Sequence, residues 1–271
     1  MKSTIWLVVL SLCSLAGAGA CIYAQGGAAA PVKLGQIKHL RKGVDLWPLI
    51  GNASTPMEQR INGTLTRLNQ GMEETLRECD QNAREDFKNL GEDAPKGQDP
   101  TAGDWERTVQ VTMSGPRYLS LVASDQSSCG GAHPNSDTLA MVFDLATGRP
   151  VDWMGLIAKS AQASPYSDSI ADGTKVGALV VPALLLLSKA KADSECKDAF
   201  EDSQSYQLWP DAKSGTLVAE PFGLPHVVAA CADDLSLSPD EARKLGFDES
   251  LLAAIDEAHK EWIASSLGNP Q

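Results

Sequence analysis

The residues best suited to chemistry are gathered in one string, Ser128-Cys129-Gly130-Gly131-Ala132-His133-Pro134-Asn135. A histidine titrates near neutral pH, so His133 has the right type for a general base or a metal ligand. The paired glycines permit positive φ or close chain approach, and Pro134 fixes the exit direction. Asp125 and Asp137 flank the string and are the acids that would orient His133 if it worked as a base. A metal would need two or three further ligands, and His226 is the one eligible histidine in the rest of the second half. One histidine is not a site. A shaped loop, Gly130 to Asn135, with His133 hydrogen-bonded inside it is the simpler reading, and it makes these six residues a candidate binding loop. Other catalytic patterns are missing: there is no Gly-x-Ser-x-Gly elbow and no His-Glu-x-x-His pair. Gly173-Thr174-Lys175 lacks the glycine-rich frame of a phosphate loop, and the acidic pairs Glu201-Asp202 and Asp233-Asp234 read as solvated surface. No catalytic residue, cofactor or metal is therefore assigned.

The cysteines carry a different message. Lys2, the apolar run Ile5–Leu15 and the small residues Ala16–Ala20 have the order of a secretory signal peptide, residues 1–24. Two cuts compete. Ile22-Tyr23-Ala24 before Gln25 suits ordinary signal peptidase, whereas Ala18-Gly19-Ala20-Cys21 is a lipobox with Ala where Leu is usual, which would lipidate Cys21. The apolar core is shorter than the ~20 residues that span a bilayer. The other long apolar run, Val176–Leu187, is broken by Pro182, so no transmembrane segment is expected in the mature chain. Cleavage after Ala24 leaves Cys79, Cys129, Cys196 and Cys231. An even number in an exported chain predicts two disulfides, and Cys79–Cys129 with Cys196–Cys231 is the pairing nearest in sequence. No pair has CxxC spacing, so thioredoxin-like and zinc-ribbon chemistry lack support.

Charge narrows the partners. The chain of 271 residues has a formal net charge of −12, which argues against a nucleic-acid binder, since phosphate contacts need clustered Lys and Arg. Residues 25–98 hold 10 basic and 10 acidic side chains, while residues 99–271 hold 12 basic and 25 acidic. The acidity thus belongs to the second segment. It suits either a solvated face or a cationic partner.

These residues need elements to position them. Residues 25–44 begin with a Gly/Ala-rich stretch and read as a flexible leader. Ile61, Leu65, Leu68, Met72, Leu76 and Cys79 recur every three or four residues, which predicts an amphipathic helix from about Pro56 to Leu90, with Gly63 and Gly71 as candidate kinks. Gly91–Gly103 reads as a linker, dividing a helical segment (45–98) from a second domain (99–271). Beyond it the period becomes two. Trp105, Val109, Val111 and Met113 alternate with polar residues, broken only at Arg107, and strands follow at Tyr118–Ser124 and Thr138–Leu145. A buried helical block is expected over Ile170–Ala192. Further strands are expected at Tyr206–Trp209, Thr216–Ala219 and His226–Ala230. Ser238-Pro239-Asp240-Glu241 combines a capping box with Pro at the first helical position, and a last helix runs from Glu249 to Leu267. The fold class is α+β, an antiparallel sheet with segregated helices and disulfide staples.

One resemblance is specific. Tyr118-Leu119-Ser120-Leu121, Cys129-Gly130-Gly131-Ala132-His133-Pro134-Asn135, and Phe143-Asp144-Leu145 with Thr147-Gly148 resemble the RsiV-like C-terminal domain family. That family includes the extracellular module of lysozyme-sensing anti-sigma factors and modules attached to peptidoglycan deacetylases. Trp47-Pro48-Leu49-Ile50 followed by Ile61-Asn62 is similar to its N-terminal companion domain. The resemblance spans about residues 45–250, with motifs between about 105 and 157. It implies an α+β extracellular module, recognition of a cationic protein such as lysozyme, and no catalytic triad. No sigma-binding segment or deacetylase domain is visible, so signalling through a sigma factor is not expected of this polypeptide alone. Two functions remain: a non-enzymatic, periplasmic or secreted binding module of the cell envelope, or an envelope hydrolase (or its accessory domain) using His133 with Asp125 or Asp137. They differ in geometry, because the hydrolase requires His133 within reach of an acid in a cleft.

Overall fold

The three-to-four spacing of apolar residues does form a helix, α1 (Pro56–Leu90), with Ile61, Leu65, Leu68, Met72, Leu76 and Cys79 buried along one stripe. Thr55 caps it: its side chain accepts from the Glu58 N–H while Glu58 reaches back to the Thr55 N–H. The helix runs through Gly63 and Gly71 without interruption, because packing of its apolar face outweighs a propensity cost of roughly 1 kcal/mol per glycine. This computed structural model describes residues 31–91, 103–130, 134–165, 177–224, 228, 231 and 233–268. The signal segment and both candidate cleavage points, at Ala24/Gln25 and Cys21, lie outside the described residues.

Against α1 lies a six-stranded sheet in the order β1 (His39–Arg41), β2 (Val44–Asp45), β3 (Asp104–Ser114), β4 (Tyr118–Ser128), β5 (Asn135–Asp144) and β6 (Arg149–Pro150). All its pairs are antiparallel except β2–β3. Leu119, Leu121 and Ala123 of β4 and Met141 and Phe143 of β5 meet Ile61, Leu65 and Leu68 in one core. The opposite face of the same strands presents Tyr118, Val122, Ala140 and Val142 to a second core. There they join a five-stranded sheet in the order β11 (Leu235–Leu237), β10 (Thr216–Phe222), β9 (Ser205–Asp211), β8 (Leu179–Val180) and β7 (Ser164–Pro165). That core also takes residues from α2 (Pro182–Lys191), α3 (Pro239–Lys244) and α4 (Glu249–Gly268). The class is α+β.

Several expectations need correction. Residues 31–44, expected as leader, are built into the fold: Leu34 bridges Ile50, His39–Arg41 forms β1, and Val44 is fully buried. The helical segment and the strands beyond it share a core, so the linker does not separate two packing units. In the block expected to be helical over 170–192, the helix begins only at Pro182, and Leu179–Val180 is a strand. Proline lacks an N–H and pushes the preceding residue out of the helical region, and Val181 is accordingly extended. Residues 166–176 lie outside the described residues, as does the expected strand at 226–230 apart from Val228. The short strand Leu235–Leu237 was not expected from the pattern. A register shift between Val111 and Met113 breaks the simple alternation of β3. Met113 thereby joins the second core, while Val111 is exposed.

Both expected disulfides are present. Cys79–Cys129 ties α1 to the end of β4, and Cys196–Cys231 closes a loop of 35 residues in the second half. A chain starting at Gln25 should show no free thiol when titrated denatured and unreduced. Reduction should cost about 2–4 kcal/mol per bridge in urea unfolding, through the freedom it returns to the unfolded chain. Two or more free thiols would refute the pairing.

Candidate functional site

The loop string sits at the end of the β4–β5 hairpin. The strands are paired from Tyr118–Asp144 to Ser127–Asn135, so the hairpin is a long arm whose tip leads into Gly130 on one side and Pro134 on the other. Gly131, Ala132 and His133 lie outside the described residues. Pro134 and Asn135 are exposed. Gly130 has φ +95°, and a Cβ there would lie 3.0 Å from the Asp86 Cβ and 3.1 Å from the Asn82 carbonyl oxygen. Glycine is thus demanded at this position by close approach to α1, next to the Cys79–Cys129 bridge. The turn after β5 has the same logic. Gly148 has φ +67°, a Cβ would lie 2.5 Å from the Met57 carbonyl oxygen, and Arg60 donates to the Thr147 carbonyl. Two of the resembling glycines therefore serve the docking of α1 on the sheet.

Asp125 is placed near the arm's tip but is not free. Arg107 Nη1 donates to Asp125 Oδ2 at 2.7 Å, and Trp105 Nε1 donates to Oδ1 at 2.7 Å. Each oxygen of this carboxylate thus has a strong donor. Arg107 is 6% exposed. Its guanidinium also lies 5.0 Å from the centre of the Trp47 ring and 3.5 Å from Met72 Sδ, while Nε has no partner among the described residues. Burial pulls the Arg107 pKa downward, opposed by the Asp125 and Asp45 charges. The sequence signal for this pair was the one break in the strand's alternation. A charged residue on the apolar face of a strand must bring a partner inside with it.

Segment 47–50, which carries part of the resemblance, is gripped by two amides of α1. Asn69 accepts from the Trp47 N–H and donates to its carbonyl, and Asn62, seven residues earlier, does the same to Ile50. Asn62 therefore has a structural role visible in its hydrogen bonds.

Asp137 is the second acid beside the loop. It pairs in register with Asp125 and remains exposed. Partial desolvation, followed by the Asp125 charge, pushes its carboxyl upward. Close by is a group that sequence reasoning passed over. Glu220 of β10 is raised to about 7, chiefly by burial, then by Asp234, with a smaller push from Asp137; a hydrogen bond from the Thr138 hydroxyl opposes the shift. Asp234 is itself raised by desolvation and by Asp233. Its pairing with Asp233 in the sequence suggested only a solvated surface. Among the described residues no group of three or more His, Cys, Asp or Glu side chains is arranged to hold a metal ion. His226 lies outside them. The other two histidines serve structure: His39 pairs with Asp45 at 2.8 Å, and His259 Nδ1 meets the Ala212 carbonyl at 2.8 Å.

No family model and no curated protein matches the chain. Five solved chains match. Among them is a member of the DUF3298 family from Bacteroides fragilis, with TM-score 0.48 and 10% identity over 79% of this chain and 87% of that chain. No helix among the described residues is long and apolar enough to cross a membrane.

The Arg107–Asp125 pair yields a test. Replacing Asp125 by Ala strands the buried guanidinium and should cost about 3–5 kcal/mol in urea unfolding. Replacing both partners, Arg107→Met with Asp125→Leu, should recover most of that loss. A single variant within about 1 kcal/mol of the parent would show that the pair behaves like an exposed ion pair.

Proposed function

We propose that the chain is an exported, non-enzymatic binding module of the cell envelope whose partner is a cationic protein of the lysozyme kind. The observation that carries this reading is the hairpin arm. Its tip, with Pro134 and Asn135 exposed, is pinned to α1 by Cys79–Cys129. It belongs to a segment with 25 acidic and 12 basic residues. Support comes also from the resemblance of the Gly130–Asn135 string to the RsiV-like family and from two disulfides, which suit an oxidising compartment. Opposite charge speeds encounter, and the residues at the arm's tip supply the specific contact. The competing hydrolase reading, with His133 and Asp125 or Asp137, has less support at Asp125, which already serves the buried Arg107 and the Trp105 indole.

Calorimetry with lysozyme at about 0.15 M salt, where the screening length is ~8 Å, and again at higher salt separates recognition from charge attraction. Specific binding should weaken with salt yet persist, and His133→Ala with Pro134→Ala should reduce it further. Complete loss at moderate salt, or equal binding of any protein of similar positive charge, would defeat the reading. Export is tested separately. The mature protein should begin at Gln25, and mass spectrometry finding a lipid-modified Cys21 would instead place it on a membrane surface.

A further inference from the structure

At the outer edge of β5 the two sheets are also joined by polar side chains of β9 and β10. Gln207 and Glu220 are register partners across those strands, so both side chains leave the same face. Gln207 Oε1 accepts from the Ala140 N–H at 2.7 Å, and its Nε2 donates to the Thr138 carbonyl at 2.7 Å. One carboxamide thus takes the place of a neighbouring strand's peptide group. Glu220 hydrogen-bonds the Thr138 side chain. Thr138 is consequently held twice, once through its backbone and once through its hydroxyl.

Among the described residues, the charges that act on Glu220 are all negative. Asp137 faces it from β5 and Asp234 from the chain entering β11, with Asp125 behind the first and Asp233 behind the second. We propose that this seam is a proton-operated latch: protonated Glu220 lets β10 close on Thr138, and ionised Glu220 loosens the β5 edge and the hairpin arm built on it. When Glu220 is neutral the hydrogen bond to Thr138 is kept with no buried charge. When it ionises, a desolvated carboxylate must sit beside Asp137 and Asp234, and opening the seam returns it to water. The sign follows from the direction of the shift. The closed seam holds the Glu220 proton up to about pH 7, against an ordinary value of 4.5, so closure is favoured most below 4.5 and loses that advantage as pH rises to 7. The inference stands whether or not the partner is lysozyme.

Hydrogen exchange on the full chain between pH 5.5 and 8.5, corrected for intrinsic exchange, reads the latch directly. Protection of residues 138–142 should fall on the order of tenfold across that range, given the separation of the two pKa values. In Glu220→Gln the protection should be high and flat with pH. Asp234→Asn, which removes one repelling charge, should shift the midpoint to lower pH and give a smaller fall than in the parent. A parent with flat protection overturns the proposal. So does a Glu220→Gln protein that retains the parental fall, or an Asp234→Asn protein whose profile matches the parent's.

Discussion

Strand β4 has water on neither side for most of its length, and the rest of the molecule is arranged around that constraint. Residues Tyr118 to Ala123 are all buried, with odd positions facing α1 and even positions facing the second sheet. A strand enclosed in this way fixes register strongly, since a slip of one residue would exchange its two faces. Ser120 shows how strictly the interior is satisfied: it is fully buried, and its hydroxyl accepts from Thr112 at 2.7 Å. The two cores are thus joined through one central hairpin, and neither can be assembled without it.

Polar groups then specify what apolar packing leaves open. The Arg107–Asp125 pair is expensive to desolvate and adds little net stability by itself, but it admits only one alignment of β3 on β4 beneath α1. Asn62 and Asn69 hold an extended segment through its backbone, and Gln207 does so for the edge of β5. Each amide offers a donor and an acceptor with the spacing of a peptide group. These contacts satisfy backbone groups that no strand reaches.

Much of this was legible in the residues. The period of Ile61, Leu65, Leu68, Met72 and Leu76, with Thr55-Pro56 before it, is long enough to survive two glycines, and the α1 limits follow from it. Cysteine spacing pointed to the bridges, and alternation located β3 to β5 but not the register shift after Val111 or the full lengths of β4 and β5. What escaped has a common cause. Strands of two or three residues, such as Val44–Asp45 and Leu235–Leu237, contain no full period and exist only because longer strands accept them. The same holds for the site. Asp125 and Asp137 were visible as acids beside the loop, but only register shows that Asp125 is committed to Arg107 and Trp105. Glu220 lay far away in sequence and becomes notable only when its sheet meets the edge of β5.

The placement of the chain's entry point bears on how the molecule would face its surroundings. Pro31 lies against Gly115, and the Val32 N–H donates to the Ser114 carbonyl, beside the turn that precedes β4. The loop string leaves the other end of that strand, 11 residues further on, a distance of roughly 35 Å at the usual rise per residue. Anything attached upstream of residue 31, whether a lipid on Cys21 or a longer stalk, would hold the body by one pole. Pro134 and Asn135 lie beyond the opposite end of β4 from that point of attachment.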